Sequence, residues 1–333
     1  MLLRFKVMQL NLLKPNTNIQ NFGVMENNDS IIKEINRLKK EKNAIVMAHY
    51  YTRPEIQDIA DYLGDSLGLS REAGKTEAQI IIFCGVHFMA ETASIISPQK
   101  KVLIPKLNAG CSLAESITGY ELKKWKAENP KGIIVSYVNT TAEVKAYTDI
   151  CCTSSNALKV VESIPKDTKI LFVPDVNLGS WIAKKTGREI ELWDGNCCVH
   201  HAITTQMIID MHNLYPEADI LIHPEAICSH DDTILDMPQT YMYSTSGMIN
   251  HTVKSPKTQF IIATEIGTIH QMKKLNPNKE FIPISKRTIC GQMRKATLKD
   301  VLEVLKNETN EVNISDDIRK KAIVPIERML KIG

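Results

Sequence analysis

The sequence of 333 residues has no apolar run near the roughly 20 residues that a bilayer span requires, so no membrane-spanning helix is expected. Its first segment carries two early cations, Arg4 and Lys6, but polar residues interrupt the apolar stretches and no small-residue cleavage site follows. We therefore expect no secretory signal. Lysine plus arginine number 41 against 38 for aspartate plus glutamate, and the cations are scattered, which argues against a nucleic-acid-binding surface.

Several motifs are also missing. No Walker loop or G-x-G-x-x-G run is present, so the sequence does not support nucleotide binding. None of the eight cysteines forms a C-x-x-C pair, which removes the usual evidence for zinc ribbons, ferredoxins and thioredoxin-like chemistry. Eight cysteines are also too few for a disulfide scaffold of this length. Without an export signal, we expect reduced thiols and a cytoplasmic location.

What is present is an alternation of short Ile/Val-rich runs with segments of helical spacing. This alternation is typical of parallel sheets with crossover helices. The composition, with 43% hydrophobic and 24% charged residues, is that of an ordinary globular chain. A length of 333 residues corresponds to two or three domains. The sequence therefore predicts an α/β protein with more than one domain.

The strand-like runs recur at a nearly fixed interval, which indicates an internal repeat. One set starts at spacings of 88 and 87 residues, at Ile45, Ile133 and Ile220. A second set starts at spacings of 90 residues, at Ile80, Ile170 and Phe260. A weaker third run closes each unit, and a cysteine follows it. Three sets of runs that recur in the same order favour a triplicated α/β unit over chance.

Polar residues follow the first strand of every unit, where the loops of a parallel sheet form the ligand crevice. They are His49 and Tyr51, Tyr137 and Asn139, and His223 and Glu225. A single histidine there is more often part of the scaffold, and a tyrosine can equally be a packing residue. The repeated placement favours a site. If the units face one another, these six side chains converge.

Hydroxyl-rich elements precede a predicted helix in each unit, at Ser66, Ser154 and Ser244-Thr245. A helix cap alone explains one such residue. Several hydroxyls at a helix N-terminus also offer donors to a phosphate or carboxylate, so these residues are candidate anion sites.

One cysteine follows the last strand of each unit: Cys111, then Cys197 or Cys198, then Cys290. Three soft ligands from distant segments favour an iron–sulfur cluster or zinc. A 4Fe-4S cluster held by three cysteines leaves one iron open as a Lewis acid, which indicates dehydration chemistry rather than electron transfer.

From about Ile31 to Leu302 these motifs resemble the quinolinate synthase family. The matching segments include AHYY at 48–51, GDSL at 64–67, AGCSLA at 109–114, CTSSNA at 152–157, PDVNLG at 174–179, GNCCVH at 195–200 and STSGM at 244–248. The resemblance implies three similar α/β/α sandwich domains with short parallel sheets about a pseudo-threefold axis, and a central 4Fe-4S cluster. It also implies condensation of iminoaspartate with dihydroxyacetone phosphate to quinolinate, with loss of phosphate and two waters, in NAD biosynthesis. The enzyme that supplies iminoaspartate is then an expected functional partner.

The resemblance also assigns residues. The implied cluster ligands are Cys111, Cys197 and Cys290; Cys198 with His201 offers the same spacing as Cys197 with His200, but G-x-C-x-V-H matches 195–200 directly. The expected catalytic residues are Glu225, His223, Tyr51, Tyr137, His49 and His200. The expected substrate-binding residues are His49, Ser66, Tyr137, Asn139, Ser154, His223, Glu225, Ser244 and Thr245.

The expected domain division has five parts. They are an unassigned N-terminal extension at 1–30, repeats at 31–113, 114–198 and 199–292, and a C-terminal helical segment at 293–333 that packs on the first repeat.

Two other functions would use the same thiols: a non-redox 4Fe-4S hydro-lyase of another small acid, and a zinc-stabilised binding protein.

Overall fold

The computed structural model describes residues 19–332, with side chains from residue 28 onward, as three four-stranded parallel sheets wrapped by helices. No helix in this range is both long and apolar enough to span a bilayer. The strands are β1 (Ala44–His49), β2 (Tyr62–Gly64), β3 (Ile80–Cys84), β4 (Lys101–Leu103), β5 (Ile133–Tyr137), β6 (Ile150–Cys152), β7 (Ile170–Val173), β8 (Glu191–Leu192), β9 (Asp219–Ile222), β10 (Thr240–Met242), β11 (Gln259–Ala263) and β12 (Glu280–Pro283).

The helices alternate with these strands along the chain. They are α1 (Ile19–Glu41), α2 (Pro54–Ile59), α3 (Ser66–Lys75), α4 (His87–Ile96), α5 (Gly119–Glu128), α6 (Ala142–Lys145), α7 (Ala157–Glu162), α8 (Val176–Thr186), α9 (Thr205–Leu214), α10 (Asp232–Leu235), α11 (Thr245–Lys254), α12 (Thr268–Leu275), α13 (Leu298–Asn307) and α14 (Asp316–Ile332), with a 3-10 helix at Ile227–His230.

The three sheets share one strand order: β2-β1-β3-β4, β6-β5-β7-β8 and β10-β9-β11-β12, with every neighbouring pair parallel. The first and second predicted runs of each repeat are the two central strands, so the predicted triplication is confirmed. Sequence reasoning missed one edge strand in each sheet: β2, β6 and β10. Each is only three residues long, too short to show a period.

Helices cover both faces of each sheet, which confirms the expected α/β/α sandwiches. In β1, Val46 and Ala48 share a core with residues of α1 and α13, whereas Met47 between them packs with residues of α3 and α4. Successive side chains of a strand point to opposite faces, so a strand buried on both faces needs an unbroken apolar run. That run is the pattern by which the central strands were predicted.

A cation caps the C-terminus of the helix that follows each hydroxyl-rich element. Lys100, Arg188 and Lys279 each donate to a pair of backbone carbonyls three residues apart at the ends of α3, α7 and α11 respectively, and Arg188 also donates to three further carbonyls beyond α7. A positive charge there complements the helix dipole. The opposite ends of these helices, which carry the hydroxyl residues, are directed towards the centre of the molecule.

The C-terminal segment departs from expectation. Helix α13 packs on α1, as expected for packing on the first repeat, but α14 packs mainly on α6 and β6 of the second unit. The prediction that the whole segment packs on the first repeat is therefore wrong for α14. Its residues Ile326 and Met329 belong to the core of the second sheet. An amphipathic pattern shows that a helix needs a partner, but not which sheet provides it.

The domain boundaries at 31–113, 114–198 and 199–292 stay a prediction, and each sheet lies within one of these ranges. Helix α1 begins at Ile19, so residues 19–30 of the expected extension form its start. The rest of that extension, 1–18, lies outside the described residues.

Candidate active site

The central strands of all three sheets end at one cavity. Of the 14 predicted site residues, 13 line its wall: His49, Tyr51, Ser66, Cys111, Tyr137, Asn139, Ser154, Cys197, His200, His223, Glu225, Thr245 and Cys290. The exception is Ser244, which lies behind the wall as the N-cap of α11. Residues from three units thus converge at one centre, the pseudo-threefold arrangement that the resemblance implies.

Glu225 lies between two imidazoles in this cavity. Its Oε2 atom is 2.9 Å from His200 Nδ1 and 3.1 Å from His223 Nδ1, and the two rings stack with centroids 4.4 Å apart. Burial tends to raise the pKa of the Glu225 carboxyl, but the two histidines outweigh it and hold the pKa well below its ordinary value. Glu225 Oε1 is buried without a hydrogen-bond partner among the described residues, so it is free to meet a ligand.

His49 is buried at the end of β1, and burial lowers its pKa to about 4. The backbone N–H of Tyr51 donates to His49 Nδ1 at 3.2 Å. At neutral pH the ring is therefore uncharged, with its proton on Nε2, and this N–H is available as a donor.

Tyr51 connects the first unit to the third. Its hydroxyl lies 2.9 Å from Thr245 Oγ1 and 2.8 Å from Thr264 Oγ1, and Thr264 Oγ1 is also 2.8 Å from His200 Nε2. Burial raises the pKa of Tyr51, and likewise that of Tyr137, well above the ordinary value, so both phenols stay protonated. Sequence reasoning missed Thr264, although it directly follows the central strand β11.

A hydrogen-bonded chain joins the hydroxyl-rich elements of the three units. Asp65 Oδ1 caps α3 by accepting from the backbone N–H of Gly68 at 2.9 Å. Ser155 Oγ lies 2.9 Å from Asp65 Oδ2 and 2.8 Å from Ser244 Oγ. A carboxylate only accepts and a serine has one hydroxyl proton, so Ser155 donates to Asp65 and Ser244 donates to Ser155. This explains why Ser244 is turned away from the cavity.

The three predicted ligand cysteines come from different units and line the same wall. Burial raises the pKa of the Cys111 thiol to about 12, and the neighbouring Cys290 adds to the rise. The pKa values of Cys197 and Cys290 are raised for the same reason, burial. A bound metal would supply the positive charge that thiolates need in this buried place.

Buried carboxylates hold the backbone of two of these cysteines. The N–H of Cys197 donates to Asp175, and that of Cys290 donates to Glu265 at 3.2 Å. Asp175 and Glu265 each lie two residues after a central strand, a position that Val86 occupies in the first unit. The sequence predicted no role for either carboxylate.

The donor set fits a metal group. Three thiols face one cavity, and ligand atoms of Cys197, His200 and Glu225 all lie within 4.8 Å of one another. Cys198 also reaches the wall but is exposed. Soft sulfur donors of this kind suit iron–sulfur clusters or zinc.

Fold and site together define a class of protein: three fused parallel α/β units that close on a shared, cysteine-bearing pocket. Comparison with known sequences then identifies the family, because residues 33–331 match the model of the quinolinate synthetase A protein. The chain belongs to that family, as the resemblance predicted, and it is an enzyme.

Named relatives cover almost the whole chain. It is 48% identical over 305 residues to the quinolinate synthase of Pyrobaculum aerophilum, an alignment that spans 90% of this chain and 99% of the relative. The quinolinate synthase of Chloroherpeton thalassium is 47% identical over 309 residues, with 91% and 94% covered. That of Thermus thermophilus is 44% identical over 305 residues, with 92% and 98% covered.

Proposed function

We propose that this enzyme condenses iminoaspartate with dihydroxyacetone phosphate to give quinolinate, phosphate and two waters, in cytoplasmic NAD biosynthesis. The observation that carries the proposal is the convergence of three cysteines with the Glu225–histidine group on one cavity. The near full-length similarity to proteins named quinolinate synthase supports it. The enzyme that makes iminoaspartate is the proposed functional partner.

Cys111, Cys197 and Cys290 are the proposed ligands of a 4Fe-4S cluster. When bound, the cluster would supply an open iron as a Lewis acid for hydroxyl groups that leave as water. The thiols belong to three separate units that share one cavity, which supports this ligand set. The backbone hydrogen bonds to Asp175 and Glu265 keep two of the ligand loops in place.

Anion binding in this cavity depends on helix ends and hydroxyls. None of the described residues that line the wall is lysine or arginine, although both proposed substrates are anionic. The N-termini of α3 and α11 meet the wall at Ser66 and Thr245, where backbone N–H groups and the helix dipole favour negative charge. With Ser154, these residues are proposed to hold the phosphate and carboxylate groups.

Proton transfer is assigned to Glu225. Its lowered pKa keeps it a carboxylate at neutral pH, and its unpartnered Oε1 atom can accept a proton during ketose-to-aldose isomerisation. The Nδ1 atoms of His200 and His223 flank the other oxygen at 2.9 and 3.1 Å. The protonated phenols of Tyr51 and Tyr137, with the Nε2–H of His49, donate to oxyanions as they form. Asn139 contributes a buried, unpartnered Oδ1 that can accept from a substrate N–H or O–H.

The test is metal analysis and an assay on protein purified without oxygen. We expect about four irons and four sulfides per chain, together with visible absorption. The Cys111→Ala and Cys290→Ala variants should lose the iron, the sulfide and the absorption. Such protein should release phosphate from dihydroxyacetone phosphate only with iminoaspartate present, and form quinolinate. A cluster without phosphate release would point instead to a hydro-lyase of another small acid.

One observation favours a second metal for this site, a single zinc ion in place of the cluster. The ligand atoms of Cys197, His200 and Glu225 lie close enough for a single ion, and zinc accepts this mixture of sulfur, nitrogen and oxygen. Colourless protein with one zinc per chain under anaerobic purification would favour this candidate and overturn the cluster.

A further inference from the structure

In each unit, a side chain of the next helical segment holds the backbone around a site residue that lies two or three positions after the first strand. In the first unit, Gln57 Nε2 donates to the carbonyl of Tyr50 at 2.8 Å and to that of Thr52 at 2.9 Å, and the carbonyl of Gly267 lies 3.1 Å from the same nitrogen. The carbonyls of Tyr50 and Thr52 stand on either side of Tyr51. One amide group therefore anchors the backbone on both sides of the tyrosine whose hydroxyl reaches Thr245 and Thr264.

The second unit repeats this arrangement with a lysine. Lys145 Nζ donates to the carbonyl of Val138 at 2.9 Å and to that of Thr140, on either side of Asn139. Lys145 lies 88 residues after Gln57, the same spacing that separates Asn139 from Tyr51. The two contacts are therefore equivalent positions of the repeat, filled by different residues.

Lys145 is unusual because it is a fully buried cation. Among the described residues no carboxylate forms an ion pair with it, and its ammonium group lies 5.5 Å from the ring centroid of Phe88. Burial lowers its pKa. Burying a lysine is unfavourable unless its donors are used, and here they are used on the two carbonyls.

The third unit has a weaker form of the same contact. Ser229 Oγ donates to the carbonyl of Pro224 at 2.9 Å, directly before Glu225. In every unit, a side-chain donor from the next helical segment thus holds a carbonyl adjacent to the residue that faces the cavity.

We propose that Gln57, Lys145 and Ser229 are positioning residues that set the direction of Tyr51, Asn139 and Glu225 in the cavity. A buried carbonyl requires a partner, so removing the donor forces the turn to move. Shifts of about 1 Å in a group that orients substrate can lower turnover about 100-fold. The expected loss of turnover rests on the proposed function. The hydrogen bonds that these side chains make to the backbone do not depend on it.

The test compares Lys145→Met with Lys145→Gln in anaerobically purified enzyme. Met keeps a long, unbranched side chain without a donor, whereas Gln restores the amide donor that the first unit uses. In K145M we expect roughly tenfold faster hydrogen exchange at 138–141, with the 50–53 segment unchanged as an internal control. We also expect kcat to fall at least roughly tenfold with little change in KM or iron content, and K145Q to recover most of both losses.

Gln57→Met provides the crossed control, because exchange should then increase at 50–53 and stay unchanged at 138–141. It also tests the proposal if K145M does not fold. Wild-type exchange and kcat in both Met variants would overturn the proposal, as would losses in K145M that K145Q does not recover. A wild-type enzyme that makes no quinolinate while the exchange pattern holds would overturn the proposed function and leave the backbone hold supported.

Discussion

The backbone N–H of Cys197 donates a hydrogen bond of 3.1 Å to Oδ2 of Asp175. The other oxygen of this fully buried carboxylate accepts from the N–H of Leu178 at 2.7 Å and so caps α8. One side chain therefore joins the start of a helix to the loop that carries a proposed cluster ligand. The position of Cys197 depends on Asp175 as much as on its own loop.

Asp175→Ala is expected to weaken both the fold and the retention of iron. It leaves two buried N–H groups without an acceptor, which should lower the free energy of unfolding by about 2–4 kcal/mol. Urea unfolding and iron per chain measure the two effects. Asp194→Ala, an exposed aspartate near the same loop, is the control and should change stability by less than about 0.5 kcal/mol. Wild-type stability and iron content in Asp175→Ala would contradict this role.

The two neighbouring cysteines should behave differently. Cys197 has its N–H held by Asp175 and its sulfur near His200 and Glu225, whereas Cys198 is exposed. We expect Cys197→Ala to lose the cluster and Cys198→Ala to keep it, as measured by iron, sulfide and visible absorption. The opposite result would show that the cluster uses Cys198.

Glu225→Gln should suppress quinolinate formation at least roughly 100-fold, because an amide oxygen cannot serve as a general base. The substitution keeps the size of the side chain, so the iron content should stay at the wild-type level. Steady-state turnover and visible absorption are the measurements. Glu217→Gln, a highly exposed glutamate of the same unit, is the matched control and should retain full activity. Unchanged turnover in Glu225→Gln would remove the proton-transfer role.

Glu308 should contribute stability that depends on pH. Hydrogen bonds from Lys101 and Lys42, at 2.8 and 2.7 Å, lower the pKa of Glu308 to about 2. Because this value lies below that of the unfolded chain, about 4.3, the stabilisation is complete above that pH and is lost as the pH falls towards 2.

Glu308→Gln should therefore be less stable than the wild type at pH 7, by about 1 kcal/mol or less because the group is partly exposed to solvent. The difference should shrink between pH 4.5 and 2.5 in urea unfolding. Glu303→Gln, an exposed glutamate on α13, the helix that Glu308 caps, should show no such pH-dependent difference. A difference that stays constant with pH would mean that the effect of Glu308→Gln is not electrostatic.

Local patterns in the sequence were sufficient to predict the repeat and the position of the site. A parallel strand buried on both faces needs an apolar run, so β1, β5 and β9 were visible as runs, and the residues after them were recognisable as site positions. The spacing near 90 residues showed the same order of strands and polar residues in each of the three units. Family motifs then favoured Cys197 over Cys198 as the ligand, a choice that spacing alone left open and that stays a prediction.

Tertiary structure decided which of these groups touch. Thr264 bridges Tyr51 and His200, and Ser155 draws the hydroxyl of Ser244 away from the cavity, through contacts between units that are far apart in the chain. Helix α14 likewise packs mainly on the second unit. Its apolar face alone does not determine which of the three sheets it covers. Sequence periodicity predicts only which face of a helix or strand is buried. Which element packs against that face is determined when the three units pack together.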